Sequence, residues 1–140
     1  MREFREAVEK RDREAMIGLL ADDVVFTSPV AFKPYAGKAI TAAILSHVIE
    51  VFADFRYVRE INDVGGRDSA LVFEASVDGK AVTGCDFLAL DDDGKIVDFM
   101  VMVRPLSAAQ ALAGAMGARF EQISADALAY AQEWGADGEA

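Results

Sequence analysis

A single carboxylate interrupts an apolar, strand-like run in the second half of the chain. Asp86 stands in "TGCDFLALDDDGKI", residues 83–96, with Cys85 before it and Phe87 after it. An isolated buried charge costs several kcal/mol unless it is paired or neutralised, so either this face is exposed or the carboxyl has a task. Apolar walls raise the pKa of a carboxyl and make it a neutral donor or a base near neutral pH. The alternative is a structural carboxylate that accepts hydrogen bonds from loop amides or a tyrosine.

Four further side chains have imidazole or hydroxyl chemistry that suits a ligand site. His47, the only histidine, lies on the apolar stripe of a helical segment and is predicted to form an acid/base pair with Asp86. Its alternative role is that of a core or interface histidine bonded to a backbone carbonyl. Ser28, Tyr35 and Tyr57 are predicted to orient a ligand through their hydroxyls, or else to cap strand ends and fill the core.

Cysteine and metal chemistry are disfavoured by residue types and spacing. Cys85 is adjacent to Asp86, so in a strand it points to the opposite face, which disfavours a nucleophile. With one cysteine and one histidine, the chain has no intramolecular disulfide and no His/Cys set for structural zinc. The aspartates of "DDDG", 91–94, lack the spacing of a calcium loop and are typical of a hairpin turn. We therefore expect neither a metal nor a tightly bound cofactor.

The elements that position these residues follow from the spacing of apolar side chains. Two short amphipathic helices are predicted within the first twenty residues, with Asp12 as the N-cap of the second. A strand is predicted over 23–28, where Pro29 ends it, and a helix over 38–53 after a loop. Four strand-like runs follow, at 55–64, 69–78, 80–91 and 95–104.

The turns between these runs predict an antiparallel meander and the direction of Asp86. Asp-Gly pairs in "VDGK" and "DDDGK" are favoured in tight hairpins, and no connection is long enough for a crossover. A two-residue turn at 78–79 sets Phe73 opposite Gly84 and Leu71 opposite Asp86. Directly opposite residues share a face of the sheet, so Asp86 is predicted to point inward.

The last strand and the C-terminal segment complete the predicted domain. Phe99 and Val101 share the inward face, whereas Met100 and Met102 point outward, toward a dimer interface or the underside of the C-terminal helices. Ser107 opens a Ser-x-x-Gln capping box for a helix that Gly117 ends. A second helix is predicted from about 120 or 124 to 134, followed by a frayed tail at 135–140.

Composition and charge exclude several classes of partner. The chain has 140 residues, of which 53% are hydrophobic, enough for one domain with a sizeable core. It carries 14 Lys and Arg against 24 Asp and Glu, a formal net charge of -10, with no basic cluster. Nucleic acids and anionic membranes need a basic surface, so both are excluded as partners. No apolar run has the length of a signal-peptide core or a membrane span, which predicts a cytosolic protein.

The order of elements resembles a known superfamily. "ADDVVFTSPVAF", "YAGKAI", the long helix, the hairpin-linked strands and "DDDGKIVDF" resemble the nuclear transport factor 2-like superfamily, especially its SnoaL-like branch. The resemblance covers residues 1–104 and implies an α+β fold: a cone-shaped barrel in which a strongly bent, mostly antiparallel sheet wraps round N-terminal helices. It also implies a pocket open at one end and, often, a homodimer through the sheet. We expect one SnoaL-like domain over 1–140, with an extra helical extension at about 106–134.

The resemblance is informative about function mainly through what is missing. In ketosteroid isomerases of this superfamily the proton-shuttling aspartate falls on Ser28 here, and the oxyanion-hole tyrosine falls on Phe4. The second oxyanion-hole acid falls on Asp86. The arginine of the epoxide hydrolases falls on Gly84. The resemblance therefore disfavours both chemistries in their usual form, whereas SnoaL-like polyketide cyclases depend chiefly on one pocket aspartate, a requirement that Asp86 meets.

Two hypotheses of function follow. The first is an enzyme that catalyses isomerisation, cyclisation or dehydration of a small apolar molecule by proton transfer, with Asp86 and His47 as the catalytic residues. The second is a non-catalytic ligand-binding or dimerisation domain. The residues predicted to line the ligand site are Ser28, Tyr35, Tyr57, Leu71, Phe73, Phe99 and Val101. A cavity that holds Asp86 and a second polar side chain within hydrogen-bond reach would favour the first hypothesis.

Overall fold

The structure is a computed structural model. Its strands form one curled sheet, and its helices come before, between and after the strands along the chain. The structure describes the backbone of residues 1–139 and the side chains of residues 1–135. The helices are α1 (Arg2–Glu9), α2 (Arg13–Gly18), α3 (Lys38–Val51), α4 (Leu106–Gly117) and α5 (Phe120–Glu139). The strands are β1 (Leu20–Thr27), β2 (Tyr35–Ala36), β3 (Ala53–Asn62), β4 (Asp68–Val77), β5 (Lys80–Leu90) and β6 (Ile96–Arg104).

The six described strands form one mixed sheet in the order β2-β1-β6-β5-β4-β3. Strands β3 to β6 form the predicted antiparallel meander, and β1 joins it by pairing with β6 in parallel. Register shifts in β3, between β5 and β6, and between β1 and β6 mark local irregularities of the kind that bend and twist strands. The sheet is curled but not closed, so the predicted cone is an open one.

The predicted β4–β5 register is confirmed. Asp78 and Gly79 have φ angles of 50° and 77°, the left-handed values that a tight Asp-Gly hairpin turn needs. The register places Leu71 opposite Asp86 and, on the other face, pairs Cys85 with the strands on both sides of it. Asp86 is 6% exposed and therefore points inward, as predicted.

Helices cover the inner face of the sheet. The central stretch of α3, 41–46, is buried throughout, which explains its broad apolar surface. The larger buried cluster joins α1, α3, α5 and the strands, and includes Phe4, Phe99 and Ile123. A second cluster joins α4, through residues such as Leu112, to the end of β4 and the start of β5, next to their hairpin turn. The space between these layers is where a ligand site can form.

The predicted helix starts are partly confirmed. Asp12 caps α2, since its carboxylate accepts the N–H of Ala15 at 3.1 Å. The predicted capping box at Ser107 is wrong. Pro105 is extended and occupies the N-cap position, and its carbonyl accepts the N–H of Ala108, so the helix begins one residue before Ser107.

The loop and the C-terminal segment also differ from prediction. The predicted loop before α3 contains the two-residue strand β2, which pairs with Val25 and Phe26 and satisfies part of the edge of β1. Helix α5 continues to Glu139, past the predicted end at 134. The predicted fraying of 135–140 falls almost wholly outside the described side chains. No helix among the described residues is long and apolar enough to cross a membrane; the cytosolic location stays a prediction.

The outer face of the sheet is not covered by the C-terminal helices. Helix α4 packs against inward residues of β4, β5 and β6, such as Val82 and Val103. Met102 lies on the opposite face and is 53% exposed. The predicted covering of Met100 and Met102 by these helices is therefore wrong, and the dimer interface stays as the remaining alternative.

Gly84 gives a test of how tightly the inner face is packed. A Cβ at this position would overlap the ring of Phe73, which is 1% exposed and held among other aromatic rings. We expect Gly84→Ala to lower the free energy of unfolding by about 1–3 kcal/mol, because the Phe73 ring would have to leave its packed position against Phe52. Chemical denaturation measures this change.

Gly114, inside α4, provides the matched control. Apart from its chain neighbours and the backbone of its own helix, nothing lies within 4 Å of a Cβ added there. Gly114→Ala is expected to raise the free energy of unfolding by about 0.5–1 kcal/mol, through helix propensity alone. Equal effects of the two substitutions would contradict the tight packing of Gly84 against Phe73.

Candidate functional site

A cavity of about 200 Å³ lies between the inner face of the sheet and the helices. Its wall is mostly apolar and rich in phenylalanine rings, from α1, β1, β3, β4, β6 and α5. Its polar side chains are Arg11, Ser28, Tyr35, Tyr57 and Asp86. An apolar cavity with a few convergent polar groups is the usual form of a small-molecule site.

Asp86 and Tyr57 form a hydrogen bond inside this cavity. The Tyr57 hydroxyl donates to Oδ2 of Asp86 at 2.7 Å. Tyr57 on β3 pairs with Phe73, and Asp86 on β5 pairs with Leu71, so the two polar groups meet diagonally across the intervening strand β4. The predicted combination of an inward carboxyl with a second polar side chain within hydrogen-bond reach is therefore present.

Burial decides the protonation of this pair. Burial raises the pKa of Asp86 to about 7, while the hydrogen bond from Tyr57 acts in the opposite direction by favouring the carboxylate. The pKa of Tyr57 is raised well above its usual value, first by burial and then by the negative charge of Asp86. Tyr57 therefore keeps its proton, and Asp86 is the group of the pair that titrates near neutral pH.

His47 does not join the cavity, so its predicted pairing with Asp86 is wrong. Its Nε2 lies 2.7 Å from Oδ2 of Asp126, and its Nδ1 lies 3.4 Å from the guanidinium of Arg119. The side of α3 that lines the cavity carries Ile44, Leu45, Val48 and Ile49, and His47 lies round the helix from that side, toward α5.

The contact of His47 has a structural consequence. Its hydrogen bond is the largest of the effects that lower the pKa of Asp126. An ion pair at 2.6 Å joins Glu50 on α3 to Arg119, the residue just before α5. Together these contacts hold α5 against α3. His47 therefore has the structural role that was its alternative, but its partner is the carboxylate of Asp126 and not a backbone carbonyl.

Two of the predicted hydroxyl residues line the cavity in addition to Tyr57. The Oγ of Ser28 accepts the N–H groups of Val30 and Ala31 at 3.1 and 2.8 Å, so it also closes the turn after β1. Tyr35 stacks with Phe26. The predicted use of both hydroxyls by a ligand stays a prediction.

The predicted apolar lining is reproduced except for one residue. Phe73, Phe99 and Val101 line the cavity. Leu71 does not: its side chain has no exposed surface and belongs to the buried cluster that includes Phe4. Leu71 shares a face with Asp86, but a shared face does not determine which side chains border an empty volume and which are covered by a neighbour.

Sequence reasoning missed two parts of the cavity. Residues of the C-terminal helices, such as Met116, Phe120 and Ile123, line it, although these helices were expected to be an extension of the domain. Arg11 also lines it, from a polar stretch between α1 and α2 that gave no sign of facing inward. The apolar stripes of α4 and α5 were a usable signal for the first group, whereas Arg11 had none.

Comparison with known proteins places the chain and its fold in a family. The family model described as a SnoaL-like domain matches residues 1–99. The chain belongs to this SnoaL-like family. Its fold is thereby that of the nuclear transport factor 2-like superfamily, as the resemblance implied. A comparison with functionally curated proteins finds no match.

Solved structures include close relatives of this SnoaL-like protein. It is 44% identical to a steroid delta-isomerase from Pseudomonas aeruginosa, over 89% of this chain and 90% of the other, with a TM-score of 0.82. It is 39% identical to an uncharacterised protein with a cystatin-like fold from Silicibacter pomeroyi, over 84% and 82%, with a TM-score of 0.79. A Mycobacterium tuberculosis protein in complex with estradiol-17β-hemisuccinate shares the fold, at 19% identity, over 74% and 94%, with a TM-score of 0.59.

The titration of Asp86 predicts a specific effect on stability. The pKa of Asp86 is about 7 in the fold, against an ordinary value of 3.8. Between these values the unfolded chain releases the proton and the folded chain keeps it, so the free energy of unfolding falls as pH rises. The loss reaches about 4 kcal/mol above pH 7, at about 1.4 kcal/mol per pKa unit. We expect Asp86→Asn to remove this loss.

Denaturation curves of the wild type and of Asp86→Asn, measured from pH 4 to pH 8, give the free energies of unfolding to compare. The carboxylates with lowered pKa values, such as Glu60 and Asp126, are common to both proteins and cancel in the difference. The asparagine carbonyl can still accept the hydrogen bond from Tyr57. A constant difference between the two proteins from pH 4 to pH 8 would show that Asp86 titrates normally.

Proposed function

We propose that this SnoaL-like protein binds a small apolar molecule and transfers a proton within it through Asp86. The observation that carries the proposal is the Asp86–Tyr57 hydrogen bond inside an apolar cavity. A carboxyl whose pKa lies near neutrality accepts and returns a proton with similar ease at physiological pH. The fold supports a small-molecule binding or isomerase-type protein.

The proposed chemistry is a proton shift within one ligand. Ionised Asp86 removes a proton from a carbon beside a carbonyl group: a C–H bond breaks, an O–H bond forms, and the electron pair moves toward the carbonyl oxygen. Asp86 then returns the proton to a second carbon of the same ligand and becomes ionised again. Tyr57 keeps the carboxyl oriented throughout, because its hydroxyl can donate to either protonation state of Asp86.

The relatives suggest the first substrate class to test. The Pseudomonas aeruginosa relative is named as a steroid delta-isomerase, and the more distant relative binds an estradiol derivative. The cavity wall has aromatic rings that suit a flat, polycyclic molecule, with Phe55 and Tyr57 packed edge-on at 4.9 Å. A steroid ketone with an unconjugated double bond is therefore the first probe.

A non-catalytic ligand-binding protein is the alternative function. Ser28 stands where ketosteroid isomerases of this superfamily have their base, and its Oγ is bonded to two backbone amides. Under the alternative, Asp86 serves only as a hydrogen-bonding group for the ligand. Binding with no turnover by the wild type would favour this function over the enzyme.

The enzymatic proposal is tested by turnover of the ketosteroid probe. The absorbance of the product, a conjugated ketone, measures the rate. We expect kcat/KM to rise with pH through about 7, because the base is ionised Asp86. Asp86→Asn should lower turnover by about 10²- to 10⁴-fold while the probe still binds. Asp98→Asn, the same change at an exposed aspartate of β6, is the control and should retain turnover. Turnover that survives Asp86→Asn would contradict the proposed role of Asp86.

The pH profile of a second variant tests the pairing with Tyr57. Tyr57→Phe removes the hydrogen bond that favours the carboxylate, so the pKa of Asp86 should rise above its wild-type value. The rising limb of kcat/KM should then move to higher pH, with the aromatic ring still in place. A limb that moves to lower pH, or does not move, would show that Tyr57 does not set this pKa.

We also propose a homodimer through the outer face of the sheet. Met102 and Phe87 on this face are 53% and 38% exposed, and they lie on the adjacent strands β6 and β5. Two copies that pair across this face would cover both side chains. Met102→Glu is expected to shift the protein toward the monomer, as measured by light scattering after gel filtration. Leu128→Glu, on exposed α5, is the control; a wild-type monomer would contradict the dimer.

A further inference from the structure

Arg11 is the one arginine of the described chain that borders the cavity. It lies between α1 and α2 with a φ of 55°, a left-handed value that is uncommon for a residue with a side chain. Two backbone hydrogen bonds fix this turn, from Arg11 N–H to Val8 and from Asp12 N–H to Ala7. The side chain is exposed as well as lining the cavity, so it lies where the cavity meets solvent.

The guanidinium of Arg11 lacks the carboxylate partner that most arginines of this acidic chain have. Among the described side chains, six of the nine arginines lie within 4.0 Å of a carboxylate, and Arg11, Arg59 and Arg104 do not. Its one described hydrogen bond is a long one, 3.5 Å to the carbonyl of Phe52. Arg59 and Arg104 belong to the opposite, outer face of the sheet.

The charge of Arg11 is also not used by Asp86. The pKa of Asp86 is governed by burial and by Tyr57, and Arg11 is not among its causes. A guanidinium within hydrogen-bond distance of that carboxyl would instead lower its pKa. The acidic and the basic side chain of the cavity wall are therefore separate: the carboxyl of Asp86 lies inside and the guanidinium of Arg11 lies at the solvent side.

We infer that the ligand is amphipathic, with an apolar body that fills the cavity and a carboxylate that binds Arg11. This inference rests on the proposed function and names the class of ligand for the same site. The planar guanidinium matches the two oxygens of a carboxylate. A dianionic phosphate monoester would keep one negative charge unpaired beside a single arginine on a chain of net charge -10, which favours the monoanionic carboxylate.

Two pairs of probes test the inference by calorimetric titration. One pair is estradiol-17β-hemisuccinate and its methyl ester; the other is dodecanoate and its methyl ester. Within a pair the apolar body is the same, and only the negative charge differs. We expect the acid of at least one pair to bind about tenfold more tightly than its ester, as one charge-assisted hydrogen bond provides. Added salt should reduce this preference.

Arg11→Gln should remove the preference for the acid and leave the affinity for the ester unchanged. Arg59→Gln is the matched control, because it removes the same charge from an exposed arginine on the outer face of the sheet. It should keep the preference. A preference that survives Arg11→Gln, or that Arg59→Gln removes equally, overturns the inference.

The remaining outcomes separate this inference from the proposed function. If the esters bind as tightly as the acids to the wild type, the inference fails and a small apolar ligand stands. If no member of either pair binds, both the inference and the proposed apolar-ligand site are contradicted. Tighter binding of dodecyl phosphate than of dodecanoate would overturn the assignment of a carboxylate.

Discussion

The site depends on keeping one carboxyl in an apolar interior, where the described residues give it one side-chain hydrogen bond, from Tyr57. Asp86 is held there because the Asp78–Gly79 turn sets the register of β4 and β5, and a shift of one residue would turn it outward in place of Cys85. Tyr57 is brought to it across β4 by the pairing of β3. Sheet geometry, and not local sequence, therefore brings the two groups together and determines their chemistry.

The sequence predicted what periodicity and turn chemistry control. The Asp-Gly turn gave the register, and the register gave the inward direction of Asp86. The predicted pairing of His47 with Asp86 was wrong because the broad apolar stripe on α3 did not show which side of the helix faced the cavity and which faced α5. The prediction that Leu71 lines the cavity was wrong because neighbouring side chains can cover a residue on the inner face completely. Arg11 was not foreseen because its direction depends on a left-handed turn that no pattern marked.

The C-terminal helices change how the cavity should be understood. The family match ends at residue 99, whereas Met116, Phe120 and Ile123 lie beyond it and form part of the cavity wall. The His47–Asp126 hydrogen bond between α3 and α5, and the ion pair of Glu50 with Arg119 just before α5, hold that wall in place. The matched region thus supplies β1 to β5, the start of β6, Tyr57 and Asp86, and the segment after it shapes the cavity.

The pKa of a carboxyl that acts alone must lie in a narrower range than the pKa values of a separate acid and base. An enzyme with a separate base and acid can shift their pKa values in opposite directions, but a single group must remove a proton and then return it. Without the hydrogen bond from Tyr57, burial would keep Asp86 neutral at physiological pH; with several donors, it would be a weak base. Burial opposed by one hydrogen bond leaves the pKa at about 7. This balance suits the proposed proton transfer, in which Asp86 both removes and returns the proton.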